Sequence, residues 1–301
     1  MSGRRQRPQR SELAVPASSA RFIDKAAGCA ADAIFLDLED AVIPELKVQA
    51  RKNAIAALND IDWGGKTVSV RVNALDTQWG CRDIMEVAEA CPRLDRILLP
   101  KCDTPGHVHT VELMLGGIEL GLKRERRIGM EALIETAKGL ANVEAIAATG
   151  GRLEALIFGA VDYQLDMKIF HASVNDPWHF ALARVANACR AYGLAPIDGP
   201  FTNIGDADGF RAAAVRAAAL GFEGKWAIHP SQIEAANEVY TPTPMQLAWA
   251  REVLEALAAA GKEGRGAVKN KDGDMVDLAH QKMAHAILER AARIVEYAGG
   301  R

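Results

Sequence analysis

The sequence predicts a parallel (β/α)8 TIM barrel followed by a small C-terminal helical module, and three observations lead there. Eight short apolar runs recur at a spacing of about 30 residues, the repeat of a strand-plus-helix unit. The runs are apolar on both faces, as strands covered on both sides must be, whereas half-solvated antiparallel strands alternate. Ala-rich amphipathic stretches separate them. At 301 residues, 49% of them hydrophobic, the chain is long enough for one large core and an appendage.

The opening MSGRRQRPQR (1–10) is Arg-rich, acid-free and lacks an apolar stretch, so it reads as a disordered tail. The runs are then ELAVP (12–16), AIFLDLED (33–40), TVSVRV (67–72), RILLPK (96–101), RIGMEALIET (127–136), LEALIFGAVD (153–162), GLAPIDGP (193–200) and GKWAIHP (224–230). Between them KVQARKNAIAAL (47–58), NVEAIAAT (142–149), WHFALARVANACRAYG (178–193) and GFRAAAVRAAALG (209–221) read as helices, the last two stopped by Gly193 and Gly221. The catalytic barrel is therefore expected over 11–243. A doubly wound open sheet is the alternative, but neither GxGxxG nor GxxxxGK[ST] occurs, and GGKT (64–67) lacks the first glycine of a phosphate loop.

After Pro244 the pattern changes to a helix (246–260), a Gly/Lys-rich connection (261–266), a hairpin turning at Asp272-Gly273 and a last helix. NKDGD is not an EF-hand loop, because its glycine comes too early and the terminal glutamate is missing. This module, 244–301, holds little core of its own and is expected to pack on its own barrel or on a neighbour's.

Charge and cysteines narrow the class of function. A net charge of −3 leaves no broad basic face for duplex nucleic acid. No apolar run reaches the roughly 20 residues of a membrane span. The 5 cysteines show no CxxC spacing, which argues against a disulfide framework or a structural zinc and points to a reducing, cytoplasmic setting.

In a barrel of this kind the chemistry gathers at the C-terminal strand ends. The polar residues closing the runs are Asp37, Glu39, Asp40, Arg71, Lys101, Glu135, Asp162, Asp198 and His229. Strand side chains alternate, so Glu131, Leu133 and Glu135 share a face, as do Phe158, Ala160 and Asp162. Glu135 and Asp162 are thus expected to point inward from adjacent strands. Two arrangements fit that spacing. In one, the two carboxylates form an oxygen-only site for a hard divalent cation, Mg²⁺ or Mn²⁺ in its place, while Arg71 and Lys101 face an anionic substrate. In the other there is no metal, and Glu135 pairs with Arg71 and Asp162 with Lys101. Glu131 lies deeper and is expected to partner a basic group. His229, before Pro230, reads as a loop anchor. Lys47 and Arg51 read as a solvated helix face or, above the barrel mouth, as phosphate contacts.

RSELAVPASSARFIDKA, FLDLEDAV with Lys47 following, VRVN, LPK, EALIETAKG, FGAVDY, PIDGPF, KWAIHPSQI and DMVD, in that order and spacing, carry a further signal. From about Ser11 to about Ala284 they resemble the citrate lyase β-subunit-like enzymes of the HpcH/HpaI aldolase superfamily, most of all the malyl-CoA and β-methylmalyl-CoA lyases. The resemblance implies a homo-trimeric or homo-hexameric barrel that binds Mg²⁺ and a coenzyme A thioester. It implies that Glu135 and Asp162 hold the metal, that Arg71 neutralises the thioester enolate oxygen, and that Glu39 and Asp40 form the outer shell. Arg21, Lys25 and Lys47 then meet the coenzyme's phosphates, and Phe22, Lys101, Ile228 and His229 complete the substrate side. Asp277 becomes the acid/base, reaching over a neighbouring barrel.

The implied reaction is reversible cleavage of a β-hydroxyacyl-CoA, such as L-malyl-CoA or β-methylmalyl-CoA, into acetyl- or propionyl-CoA and glyoxylate. The alternatives are a (3S)-malyl-CoA thioesterase, a citramalyl-CoA lyase, and a citrate lyase β-like subunit that needs an acyl-carrier partner. DPWHF (176–180) and Asp277 favour a stand-alone enzyme by the same resemblance. The chain departs from the pattern at Ala17, where a glycine is common, and in the loop 164–177, which matches no motif and is expected to shape the acyl pocket.

Overall fold

The computed structural model describes residues 7–170 and 178–299. The barrel strands are β1 (Ser11–Pro16), β2 (Ala33–Asp37), β3 (Thr67–Arg71), β4 (Arg96–Leu99), β5 (Gly129–Ile134), β6 (Leu153–Phe158), β7 (Ala195–Asp198) and β8 (Gly224–Ala227). They pair in chain order, every neighbour parallel, and β8 closes onto β1. Each of the eight apolar runs becomes a strand, and the barrel is the expected (β/α)8 class. The accompanying helices are α1 (Ala20–Ala27), α2 (Lys47–Asp60), α3 (Gly80–Ala90), α4 (Pro105–Leu122), α5 (Ala137–Ala141), α6 (Val143–Ala147), α7 (Ala160–Asp166), α8 (His179–Tyr192), α9 (Ala207–Ala219) and α10 (Ile233–Val239).

β2, β3 and β5 are buried at every position, which explains why their sequences do not alternate. Side chains inside the barrel stack in layers. The middle layer is apolar: Phe35, Leu98, Leu133, Ile157, Ile197 and Trp226 pack together, with the Phe35 and Trp226 rings 4.4 Å apart. Below it lies a polar layer. There Glu131 accepts hydrogen bonds from Arg96 at 2.7 Å and Gln9 at 2.5 Å, so the deep carboxylate of β5 has the basic partner its position required. Glu12, beside it, accepts from the Trp226 indole at 2.9 Å. Burial and the adjacent Glu131 push the Glu12 carboxyl well above its ordinary range.

Two strand ends differ from the expectation. β6 stops at Phe158, and Asp162 lies in the first turn of α7 instead of continuing the strand, where an acidic side chain suits the helix N-terminus. Asp198 does not join the mouth: alternation turns it outward, where Lys225 Nζ meets it at 2.5 Å beside the Phe210 ring of α9.

The segment from Val239 onward forms a second compact unit, distinct from Gln9–Glu238. It contains α11 (Pro244–Lys262), an antiparallel pair β9 (Val268–Lys269) and β10 (Met275–Val276), and α12 (Leu278–Gly299). Thr243 and Gln246 form a capping box at the start of α11. Gly273 takes the left-handed φ of 91° at the hairpin turn. Ala250, Val253, Val276 and Ala284 make its small core.

Arg152, just ahead of β6, has a fully buried side chain that meets Glu119 at 2.9 and 3.0 Å and the Ile128 carbonyl at 2.6 Å. Removing the guanidinium leaves the buried Glu119 carboxylate with only the Ile128 N–H at 2.6 Å and the more distant Arg127 at 3.8 Å. Arg152→Ala should therefore lower the unfolding free energy by about 3–5 kcal/mol, seen as a lower urea midpoint.

Candidate active site

The top layer of the barrel opens into a cavity of about 550 Å³. Ala14, Phe35, Leu133 and Trp226 form an apolar floor, and Asp37, Asp40, Arg71, Glu135 and Asp162 stand around it. The strand register creates this ring, since Asp37 on β2 lies opposite Arg71 on β3.

Asp37 holds Arg71 edge to edge: Oδ1 accepts from Nε at 2.7 Å and Oδ2 from Nη2 at 2.6 Å. The third guanidinium nitrogen faces Glu39 at 3.0 Å and Asp40 at 3.1 Å. The cation lies 5.7 Å from the Phe35 ring centroid and 5.6 Å from that of Trp226, so the floor contributes cation–π attraction. Burial alone would raise the Asp37 carboxyl, but the Arg71 charge and hydrogen bonds outweigh it and hold it below the usual range. Burial would also lower Arg71, yet Asp37 and its neighbours keep the guanidinium more firmly protonated than usual.

Glu39 is in the opposite condition. Burial pushes its carboxyl from 4.5 to about 7 against the pull of Arg71, and Asp40 adds to the rise. Lys101 Nζ approaches it at 3.2 Å. Burial would lower that ammonium, but Glu39 outweighs the loss and raises it. The Lys101 backbone adopts a left-handed φ of 49°, and its N–H donates to Glu135 Oε1 at 2.8 Å. One strained residue thus contacts two carboxylates of the site.

Glu135 and Asp162 line the same cavity, although Asp162 arrives from a helix turn rather than a strand. Burial, then the Glu39 and Asp162 charges, push Glu135 well above its ordinary range. Burial and Asp40 likewise raise Asp162. Gly159 lets β6 end against this group: a Cβ there would sit 2.7 Å from Glu135 Oε2. The donor set fits a hard divalent cation, because two mutually repelling carboxylates at an open cavity are relieved by one. Among the described residues no group of three His, Cys, Asp or Glu side chains is placed to hold a metal, so water or ligand oxygens would complete the shell. The metal-free pairing expected from spacing is replaced by another, in which Arg71 goes to Asp37, Glu39 and Asp40, and the Lys101 ammonium to Glu39.

The remaining candidates are spread more widely. Ile228 lines the cavity, while His229 is exposed and turns back on its own loop, its Nδ1 accepting the Ser231 N–H at 3.2 Å. Arg21, Phe22 and Lys25 stand exposed on α1, outside the cavity lining. Lys47 does not present a free ammonium to phosphate: it is buried and donates to the carbonyls of Leu38 at 2.9 Å and Glu39 at 2.7 Å. Arg51 is no solvated residue either, being buried against Asp83 and Glu86. Asp277 belongs to the C-terminal unit, where it caps α12 through the Ala279 N–H and bonds His280 Nδ1 at 2.8 Å. The His280 hydrogen bond and the cap hold its carboxyl below the usual range. Much of the loop 164–177, expected to shape the acyl pocket, falls in 171–177, outside the described residues, as does the start of DPWHF. Asp37 is one of the rim residues that close the runs, although the sequence assigns it no role; Gly159 and the Phe35–Trp226 floor are the site features that residue type and spacing missed.

A family model described as HpcH/HpaI aldolase/citrate lyase matches residues 10–230. The chain belongs to that family. Similar members include an L-malyl-CoA/β-methylmalyl-CoA lyase of Rhodobacter capsulatus, 44% identical with 95% of both chains covered. A (3S)-malyl-CoA thioesterase of Cereibacter sphaeroides is 34% identical over 96% of this chain and 97% of its own. Among solved structures, the CitE protein of Mycobacterium tuberculosis in complex with magnesium, acetoacetate and coenzyme A is 30% identical, with TM-score 0.77 over 96% of this chain and 100% of that one.

Because the native Glu39 carboxyl titrates near 7 rather than 4.5, the native state binds its proton more tightly than the unfolded chain does. Stability from this group is therefore lost as pH rises from 4.5 through about 7. Glu39→Gln should stabilise the metal-free protein by roughly 1–3 kcal/mol at pH 8 and have little effect at pH 4, measured by chemical denaturation at both.

Proposed function

We propose that the protein is a Mg²⁺-dependent carbon–carbon lyase acting on a β-hydroxyacyl-CoA, with L-malyl-CoA or β-methylmalyl-CoA as substrate. The observation that carries this is one cavity with a fixed guanidinium on one side and the raised carboxylates Glu135 and Asp162 on the other. The 44% identity to a lyase of those substrates, against 34% to a thioesterase, supports the same reading.

Glu135 and Asp162 would hold the cation, which when bound supplies Lewis-acid charge to the oxygens of the 2-oxo-acid portion. Arg71 is preorganised for the thioester oxygen: its charge is secured by Asp37, and its N–H donors stabilise the enolate that forms when the carbon–carbon bond breaks. The apolar floor keeps water from that carbanion and accommodates the acyl chain. Asp277 moves the proton at the enolate carbon, delivering it in cleavage and removing it in condensation. Exposed Arg21, Phe22 and Lys25 on α1 would take the coenzyme portion. We place the active enzyme in the cytoplasm as a homo-trimer or homo-hexamer, with the C-terminal module serving a neighbour's barrel. Among the described residues no helix is long and apolar enough to cross a membrane.

The thioesterase reading shares the same groups, with water at the thioester in place of bond cleavage. Malyl-CoA and Mg²⁺ should give glyoxylate and acetyl-CoA in equal amounts without free thiol; thiol without glyoxylate would instead establish the thioesterase. Glu135→Ala should reduce lyase turnover at least 100-fold and abolish Mg²⁺ binding by calorimetry while leaving the circular dichroism spectrum unchanged. Full activity in that variant would remove Glu135 from the metal site.

A further inference from the structure

Asp37 has more asked of it than an ordinary ion-pair partner. Its Oδ1 accepts Arg71 Nε–H at 2.7 Å and the Glu39 N–H at 2.9 Å, and its Oδ2 accepts Arg71 Nη2–H at 2.6 Å and the Ala41 N–H at 3.1 Å. Four donors converge on two oxygens, and the side chain is almost wholly buried. Only a carboxylate serves there: an amide would turn its own N–H groups toward Arg71 or toward the loop amides. The fork fixes the guanidinium plane, leaving Nη1 and the outer hydrogen of Nη2 free of Asp37. The same two oxygens hold the Glu39–Ala41 backbone, so Arg71 and the loop bearing Glu39 and Asp40 share one anchor.

We propose that Asp37 is a positioning residue for the lyase reaction, setting the direction in which Arg71 meets the thioester oxygen as negative charge develops on it. The proposal rests on the reading of Arg71 as the oxyanion donor. Asp37 touches no reacting atom; it acts through Arg71, and its effect belongs in kcat because the oxygen becomes strongly charged only in the transition state.

The test is a double-mutant cycle on malyl-CoA cleavage with Mg²⁺, using the full chain. Asp37→Asn should lower kcat roughly 100-fold with KM changed less than about threefold, and Asp37→Glu, which keeps the charge but displaces the fork, should lose kcat as well. In an Arg71→Ala background the further change to Asp37→Asn should cost less than about threefold, because nothing is left to position. Independent, multiplying losses would overturn the proposal, as would wild-type kcat in either Asp37 variant. If both variants fail to fold while the wild type is active, Asp37 is an anchor of the loop alone and the proposal is likewise overturned. A wild type that releases no glyoxylate from malyl-CoA would overturn the lyase reading, a result separate from the cycle.

Discussion

A guanidinium removed from water costs several kcal/mol unless acceptors meet its N–H groups, and Arg71 is met by Asp37, Glu39 and Asp40. That requirement organises the barrel mouth. Asp37 stays ionised within the pair, whereas Glu39, buried and crowded by Asp40 and Asp37 against the pull of Arg71 and Lys101, is driven to about 7. Among the described residues of the mouth, Arg71 and Lys101 form their ion pairs with Asp37, Glu39 and Asp40, so the acidic excess falls on the side of Glu135 and Asp162. The excess is what makes that side receptive to a divalent ion.

Glu131 within β5 and Glu135 just past its end show how one run divides its work. Glu131 is answered within the chain by Arg96 and Gln9, below the apolar layer. Glu135, one layer above Leu133, has a backbone N–H and little else, and its burial is tolerable because the cavity admits a partner from outside. Stability resides at the bottom of the barrel and chemistry at the top.

The eight strands were legible because burial on both faces writes a continuous apolar run, and the pairing of Glu131 with a base followed from its depth alone. Glu135 was found through strand alternation. Asp162 was found for the wrong geometric reason, since Gly159 ends the strand and a helix turn brings the carboxylate round. Lys47 and Arg51 were misread because their spacing on α2 resembles an exposed face, while the bulk of the barrel covers it. Asp37 was placed on the rim as the acid closing a strand, but its role stayed hidden, because it depends on the register between β2 and β3, which no local pattern encodes.

Lys101 ties these parts together in a way that constrains its own replacement. A glycine would adopt its left-handed backbone without strain, and so preserve the N–H to Glu135, but would leave Glu39 without its ammonium. An arginine would keep a cation but reach past Glu39 with a planar group shaped for two acceptors. The position is therefore pulled toward glycine by its main chain and toward a compact cation by its side chain, and lysine is the compromise that serves both.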